Sequence, residues 1–374
     1  MRNLRNIQVI FNPEGISKIE KEFDSFVSKN CNNPFMQSIF IRKRIERNSE
    51  PNSKPAILVL KENDDIIGIA PLLLIEKFEF RYVKWLFSCW YSRDFILNDA
   101  KREDCLQSFF HYIFQNLSCK FAILEISAES ENQNLLDQVC ESNNLSIHQI
   151  KGAHLNHRVI EVDRTWDEFQ KSRGKDFRVE FRSLERKLSA ASNFRTLMFE
   201  NTENEDDSLK NIMQVEDGSW KQNWRRSHNS SFDVGLLNLW EGSSLVIRTN
   251  LDFRRKVWFL ELNGQVIAYS LVIEYGETGY VAKTSFNNSC RNLNPGIYIF
   301  NEAVRGLFNS PTIKKIDFMT NLSFMKKWSS IELERTKFVI SKGSLPKALM
   351  RLIQKPVIKA ILYRFNPELI QSLS

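Results

Sequence analysis

Residues 291–298, Arg-Asn-Leu-Asn-Pro-Gly-Ile-Tyr, bring a guanidinium, a polar bend and a helix start together within one short stretch. An apolar run precedes them, and apolar residues three and four apart follow, so the spacing predicts strand, bend and helix. The first amides of a helix lack intrahelical acceptors, and the helix dipole adds partial positive charge beside them. Such a terminus suits a phosphate group. Asn294 tolerates a left-handed backbone, Pro295 lacks an N–H that a helix start would orphan, and Gly296 allows close approach of main chain to a ligand. Arg291 supplies a charge that pairs with phosphate. The same residues also suit a plain helix start, and the motif alone does not choose between the two.

The scaffold for these residues follows from the whole chain. A length of 374 residues predicts two domains. With 42% hydrophobic and 26% charged residues, the chain can bury a sizeable core. A formal charge of +7 favours anionic ligands but falls short of a nucleic-acid-binding signature, and no nucleic-acid partner is expected. Cys31, Cys89, Cys105, Cys119, Cys140 and Cys290 form no Cys-x-x-Cys pair and read as reduced thiols. His154 and His157 are three apart but lack further ligands nearby, so no metal is expected. The apolar run 66–78 is interrupted by Pro71 and is too short to span a bilayer. The basic start has too short an apolar run for a secretory signal, and a cytoplasmic location is expected.

Residues 56–80 read as a hairpin, 104–117 as a helix, 121–129 as a strand and 132–145 as a helix stopped by Asn143 and Asn144. Thr165 and Glu168 have the spacing of a capping box, opening a charged helical stretch broken near Gly174. Residues 257–286 read as three strands joined by Asn263-Gly264 and by 276–279, and 313–320 as a short strand. The hairpins at 61–74 and 261–273 resemble each other, which points to a duplication. The expected domains are 1–162, 163–340 and a tail, 341–374, in which Lys347, Arg351, Lys355 and Lys359 line one side of an amphipathic helix interrupted at Pro356. That tail suits either docking on its own domain or peripheral contact with an anionic membrane.

The order strand, hairpin, strand, bend, helix, strand resembles the GNAT acyltransferase superfamily. In that superfamily a loop of the form Gln/Arg-x-x-Gly-x-Gly/Ala holds the diphosphate of acyl-CoA; here Arg291 stands first, Asn294 replaces the first glycine and Gly296 stands last. A longer set of motifs resembles the double-GNAT, CelD-like acetyltransferases, relatives of the Fem-type aminoacyltransferases. It comprises "NPFMQSIF" (33–40), "GIAPLLL" (68–74), "SRDF" (92–95), "FRVEFRSLERKL" (177–188), "LELNGQVIAYSL" (260–271), "NPGIYIFNEAV" (294–304) and "IDFMTNLSFMKKW" (316–328). The resemblance implies an α/β (α+β) fold of two tandem GNAT-like lobes, each a mixed, largely antiparallel sheet flanked by helices. It implies an N-acyltransferase that takes acyl-CoA, acetyl-CoA first among candidates, and no metal. The N-terminal lobe lacks a comparable bend and is expected to shape the acceptor cleft.

By the same resemblance, Ser285, Phe286, Arg291, Asn292, Leu293, Asn294, Pro295, Gly296, Ile297 and Tyr298 would hold the carrier. Main-chain N–H groups near 283–286 would face the thioester oxygen. Asp317 is the first candidate for a base or acceptor-orienting carboxylate, with Glu274 in reserve and Lys326 retained beside it; Asp317 equally suits a cap or a salt bridge. Asn321 replaces a glycine of the family and Met325 a tyrosine that could protonate the leaving thiolate. Arg178, Arg182 and Arg186 share a helix face. They suit either a solvated face paired with Glu180 and Glu185 or an anionic acceptor. Trp220 and Trp224 suit core packing or stacking on a sugar. The expected acceptor is a small-molecule or glycan amine, on a sugar nucleotide, glycolipid or envelope polysaccharide precursor. Two rivals accompany this reading: a Fem-type transferase using aminoacyl-tRNA, and a non-catalytic GNAT-fold binding protein.

Overall fold

Two hairpins with the same turn chemistry lie one in each sheet of the protein. The structure, a computed structural model, describes residues 5–48, 50–77, 80–86, 94–151, 156–191, 193–200, 205–219 and 253–343. Asn63 and Asp64 have φ of 50° and 73°, and Asn263 and Gly264 have φ of 52° and 78°. Left-handed backbone at both central residues is the type I′ turn that suits twisted antiparallel strands. The register shifts just before each turn, at Leu60/Lys61 and at Leu260/Glu261.

The chain forms two compact units. One contains the polypeptide up to Asn156 and again from Leu333 on; the other is His157–Glu332. In the first unit the strands are β1 (Arg5–Ile10), β2 (Ser53–Glu62), β3 (Asp65–Lys77), β4 (Phe80–Trp85), β5 (Ile96–Leu97), β6 (Phe121–Ser127) and β7 (Leu145–Lys151). In the second they are β8 (His157–Glu161), β9 (Phe194–Glu200), β10 (Phe253–Leu262), β11 (Gln265–Tyr275), β12 (Thr278–Phe286), β13 (Lys315–Asp317) and β14 (Ile331–Leu333). The chain then returns to the first sheet as β15 (Arg335–Lys342). The orders are β1-β2-β3-β4-β6-β15-β7, with β5 beside β3, and β14-β8-β13-β12-β11-β10-β9.

Both sheets repeat one succession. Three antiparallel pairs lead to a parallel pair, β4–β6 in one and β12–β13 in the other, followed by an antiparallel neighbour, β15 or β8. This agrees with the likeness of the two hairpins in sequence. The fold is mixed α/β, each sheet flanked by helices. It departs from the division at residues 162 and 340. β8 pairs with β13 in the second sheet, and β15 lies between β6 and β7 in the first. Alternating apolar residues show that a segment is a strand; which sheet it joins depends on the edge its backbone meets.

In the first unit, Phe109, Phe110, Ile113 and Phe114 of the helix Arg102–His111 and its continuing wide turn Tyr112–Asn116 pack on Leu58, Leu60, Leu72, Leu74 and Leu124. In the second, the helices Trp166–Ser172, Lys175–Ala191 and Pro295–Phe308 cover one face of the sheet. Thr165 and Glu168 form the expected reciprocal cap, and the helical stretch breaks at Arg173 and Gly174. Trp328 sits 2% exposed among the rings of Trp166, Phe177, Phe181 and Phe300. The other face carries Glu205–Asp217, whose Ile212 and Val215 are fully buried.

Among the described residues no helix is long and apolar enough to cross a membrane. The basic residues of the tail reading, Lys347 to Lys359, lie outside the described residues.

Asp94 of the first unit is half-buried, and burial pushes its carboxyl up to about 6 against the hydrogen bonds of Ser130, Asn132 and the Phe95 N–H. Its folded pKa exceeds the unfolded value, so its contribution to stability falls as pH rises from about 4 to about 6 and is level above. Asp94→Asn keeps an acceptor for Asn132 and removes the desolvated charge. Denaturant unfolding at pH 7.5 is expected to show the variant about 1–2 kcal/mol more stable than wild type, with the difference gone by pH 4.

Candidate active site

The bend adopts the geometry its residues dictate. After β12, Asn287 accepts from the Ser289 N–H at 3.0 Å and caps the 3-10 turn Asn288–Leu293. Asn294 follows with φ 51° and ψ 46°, and Pro295 is the first residue of the helix Pro295–Phe308. The Ile297 and Tyr298 N–H groups donate to the Asn294 carbonyl at 3.2 and 3.3 Å. Among the described residues the Gly296 N–H has no acceptor. Arg291, Asn292 and Asn294 are exposed, while Leu293, Gly296 and Ile297 are half-buried. An unengaged amide, a helix N-terminus and a guanidinium therefore share one accessible loop, which fits a phosphate group.

One expectation changes. A Cβ on Gly296 would lie 2.7 Å from Phe286 Cδ1. The glycine lets the helix close onto β12, and its bare side is filled by Phe286 instead of facing a ligand. Pro295 and Tyr298 are buried as well. The Tyr298 ring stands edge-on to Phe194 at 5.7 Å, and burial holds its phenol above the usual value. These two residues anchor the bend from beneath.

The strand pairing next to the bend is short. β12 and β13 pair in parallel only at Thr278–Lys315, Gly279–Ile316 and Tyr280–Asp317. β12 then runs on to Phe286 beside β11, whereas the chain after β13 stays with β8: the Phe318 N–H donates to Arg158 O, and the Arg158 N–H to Thr320 O. The two strands thus part after Tyr280 and Asp317. Among the described residues β13 therefore makes no ladder pair with β12 over 281–286, the stretch whose amides are expected to face a thioester.

Buried Arg158 holds the loop that turns away. Its Nε donates to Asn321 Oδ1 at 2.6 Å and its Nη1 to Ser329 O at 2.7 Å, and its Nη2 pairs with Glu332. Asn321 in turn donates to Glu332 at 2.8 Å. Asn321 stands where the family pattern has glycine, and here its side chain is part of this clamp.

A row of polar side chains lies on the sheet face away from Pro295–Phe308. Ala268, Val272, Val281, Ile316 and Phe318 pack under that helix, so strand alternation sends Tyr269, Lys283, Ser285 and Asp317 to the opposite face. There the Tyr269 hydroxyl donates to Glu216 Oε1 at 2.6 Å, and Lys283 Nζ lies 3.5 Å from the same oxygen. Ser285 is buried, and its hydroxyl has no hydrogen-bond partner among the described residues. Asp317 Oδ1 accepts from the Met319 N–H at 2.6 Å, where Met319 has φ 58°, and Oδ2 is 3.4 Å from His157 Nε2. His157 is buried, and its Nδ1 has no hydrogen-bond partner among the described residues. The carboxylate thus closes a left-handed turn and faces an imidazole.

The remaining candidates fall elsewhere. Glu274 is bound by Lys256 at 2.7 Å and Arg254 at 2.8 Å on the helix-covered face, the opposite side of the sheet from Asp317. Lys326 is exposed on the 3-10 turn Ser323–Lys327, and neighbouring Met325 is buried in the helix-side core. Arg178 and Arg182 line a groove with Asn301 and Arg305. Trp220 and Trp224 lie outside the described residues. Burial pushes the thiols of Cys31, Cys119 and Cys140 up to about 12 and that of Cys105 to about 11, so none of these is a thiolate at neutral pH. Among the described residues no cluster of three or more His, Cys, Asp or Glu could hold a metal ion.

Glu216, Tyr269, Lys283 and His157 were not singled out as site residues from sequence. The signal present was a lysine inside an apolar strand, "YVAKTSF", and a glutamate four residues after Ile212 on a buried helix stripe.

Residues 175–327 match the family model described as an acetyltransferase (GNAT) domain. The match runs from the arginine-bearing helix through the bend to the 3-10 turn and makes the second unit GNAT-like. Among solved structures, FemX superposes with a TM-score of 0.57 at 10% identity, covering 94% of this chain and 100% of that one. A conserved protein of unknown function from Bacteroides thetaiotaomicron gives 0.55 at 9%, covering 90% and 100%. The C-terminal domain of a protein described as a lysylphosphatidylglycerol synthetase, from Agrobacterium fabrum, gives 0.52 at 11%, covering 89% and 94%. At these identities the likeness is one of fold. No curated protein matches the chain in sequence.

The Asp317 turn is open to a direct check. Asp317→Ala leaves the buried Met319 N–H without its acceptor and is expected to cost about 1–3 kcal/mol in denaturant unfolding. Asp317→Asn retains an acceptor oxygen and should lose markedly less.

Proposed function

We propose that the protein is an acyl-CoA-dependent N-acyltransferase of the double-GNAT, CelD-like kind, with acetyl-CoA the first candidate donor. In this reading the acceptor is an amine on a sugar nucleotide, glycolipid or envelope polysaccharide precursor. The observation that carries the proposal is the parting of β12 from β13 directly ahead of the bend. An open strand side pairs with an amide-bearing chain, and the pantetheine arm of CoA carries two amides. The bend then receives the diphosphate on the Gly296 amide, the helix N-terminus and Arg291.

The chemistry follows from what borders the opening. Amides of 281–286 and the Lys283 ammonium face the thioester oxygen and stabilise the charge that develops on it. Glu216 and Tyr269 fix Lys283. The His157–Asp317 pair takes a proton from the acceptor ammonium; the free amine attacks the carbonyl carbon; the C–S bond breaks; and the thiolate takes the amine's remaining excess proton. The raised Cys31, Cys105, Cys119 and Cys140 thiols favour this direct transfer over an acyl-cysteine route.

Titration calorimetry with acetyl-CoA, and mass spectrometry of CoA thioesters that co-purify, test the donor. Arg291→Gln is expected to weaken CoA binding about tenfold without loss of stability; unchanged affinity removes the bend from the site. Gly296 is a poor probe, because any side chain there meets Phe286. A folded protein that gives no heat with acetyl-CoA directs attention to the Fem-type rival, tested by RNase-sensitive transfer from aminoacyl-tRNA, and then to a non-catalytic role.

His157→Gln is expected to lower kcat about 10²–10⁴-fold. Turnover at the full rate assigns the pair to structure alone.

A further inference from the structure

A groove of about 660 Å³ opens on the second unit between the helices Trp166–Ser172, Lys175–Ala191 and Pro295–Phe308. Its size is that of a small-molecule site. Arg178, Arg182 and Arg305 project along it, with Asn301, Gln170 and Trp166 among its other walls. Arg305 is nine residues beyond Gly296, about 14 Å along the helix axis from the bend. No residue of the bend lines the groove, and the groove stands whether or not the transferase reading does.

Two features set it apart from an ordinary charged helix face. The first is a pair of guanidiniums without a carboxylate partner: Asp167 and Glu185 also line the groove, but among the described residues neither pairs with Arg178 or Arg182. Glu180, which would have balanced these arginines, is taken by Lys327 at 2.8 Å. Arg178 donates to the Lys171 carbonyl at 3.2 Å, and the Arg182 guanidinium has no hydrogen-bond or ion-pair partner among the described residues. Arg305 is paired with Glu302. Like charges four residues apart oppose helix formation, yet Arg178 and Arg182 face the same opening. The second feature is Asn301. It is 5% exposed, lines the groove, and its Oδ1 has no hydrogen-bond partner among the described residues. Its Nδ2 donates to Glu302 Oε1 at 3.4 Å; a buried amide oxygen without a partner calls for one, and Asn can present either an acceptor or a donor.

We propose that this groove binds the phosphate ester of a sugar or similar polyol. The guanidiniums of Arg178 and Arg182 take the phosphate, for which their planar donor pairs are matched. Asn301, Gln170 and the rim carboxylates Asp167 and Glu185 meet hydroxyl groups, and these carboxylates disfavour a bare polyanion.

Titration calorimetry on the full chain tests this with glucose 6-phosphate and inorganic phosphate as probes. Glucose 6-phosphate is expected to bind more tightly than phosphate, and Arg178→Gln/Arg182→Gln to weaken it at least tenfold. Arg182→Gln alone, at an exposed position that the fold does not need, should give part of that loss. Arg186→Gln and Arg291→Gln should leave it unchanged. No heat with glucose 6-phosphate overturns the proposal. So does a loss with Arg291→Gln that the double variant does not share, because the phosphate would then belong to the bend. Equal binding of the two probes overturns the polyol part.

Discussion

The second unit depends on one interruption: a parallel strand pair that lasts three residues and then ends. A sheet of ordinary regularity would have carried β13 along β12 and sealed the edge with backbone hydrogen bonds. Here β13 turns with β8 instead, held by Arg158 and its ties to Asn321, Ser329 and Glu332. A buried guanidinium with three kinds of acceptor is costly to disturb, because each lost contact leaves a desolvated group behind. The opening is thus a property of the fold and exists before any ligand arrives. Pre-formed donors need no reorganisation when charge develops beside them.

The bend extends the same logic. β12 leads without a break into a turn whose residues each answer one requirement: Asn287 caps, Asn294 accepts the left-handed conformation, Pro295 starts the helix. Gly296 and Phe286 then lock helix to strand at contact distance. The open strand side and the helix N-terminus are rigidly joined, so a molecule that spans both meets a fixed spacing. This is the arrangement that a long carrier with an anionic end and an amide-bearing arm would use.

The polar face shows why burial and charge coexist in this unit. Glu216 accepts from the Tyr269 hydroxyl and forms an ion pair with Lys283, while Asp317 closes the Met319 turn and faces His157. Their neighbours on the other face are the rings and branched side chains around Trp328 and Phe300. A dense apolar layer beneath the sheet keeps the strands in place, and the polar residues above it are held in fixed orientations.

Much of this was legible in the chain itself. The hairpins at Asn63-Asp64 and Asn263-Gly264, the reciprocal cap of Thr165 and Glu168, and the bend at Asn294-Pro295 are local: each is set by torsional preferences and hydrogen bonds within a few residues. The sequence by itself therefore determined the elements and the phosphate-compatible terminus. Only the tertiary structure decided that β8 and β15 join the sheets they do, that β12 parts from β13, that Gly296 is filled by Phe286, and that Glu216 reaches Lys283. Those outcomes rest on which distant backbone edges and buried charges meet, and alternation along a strand is the same whichever partner it finds.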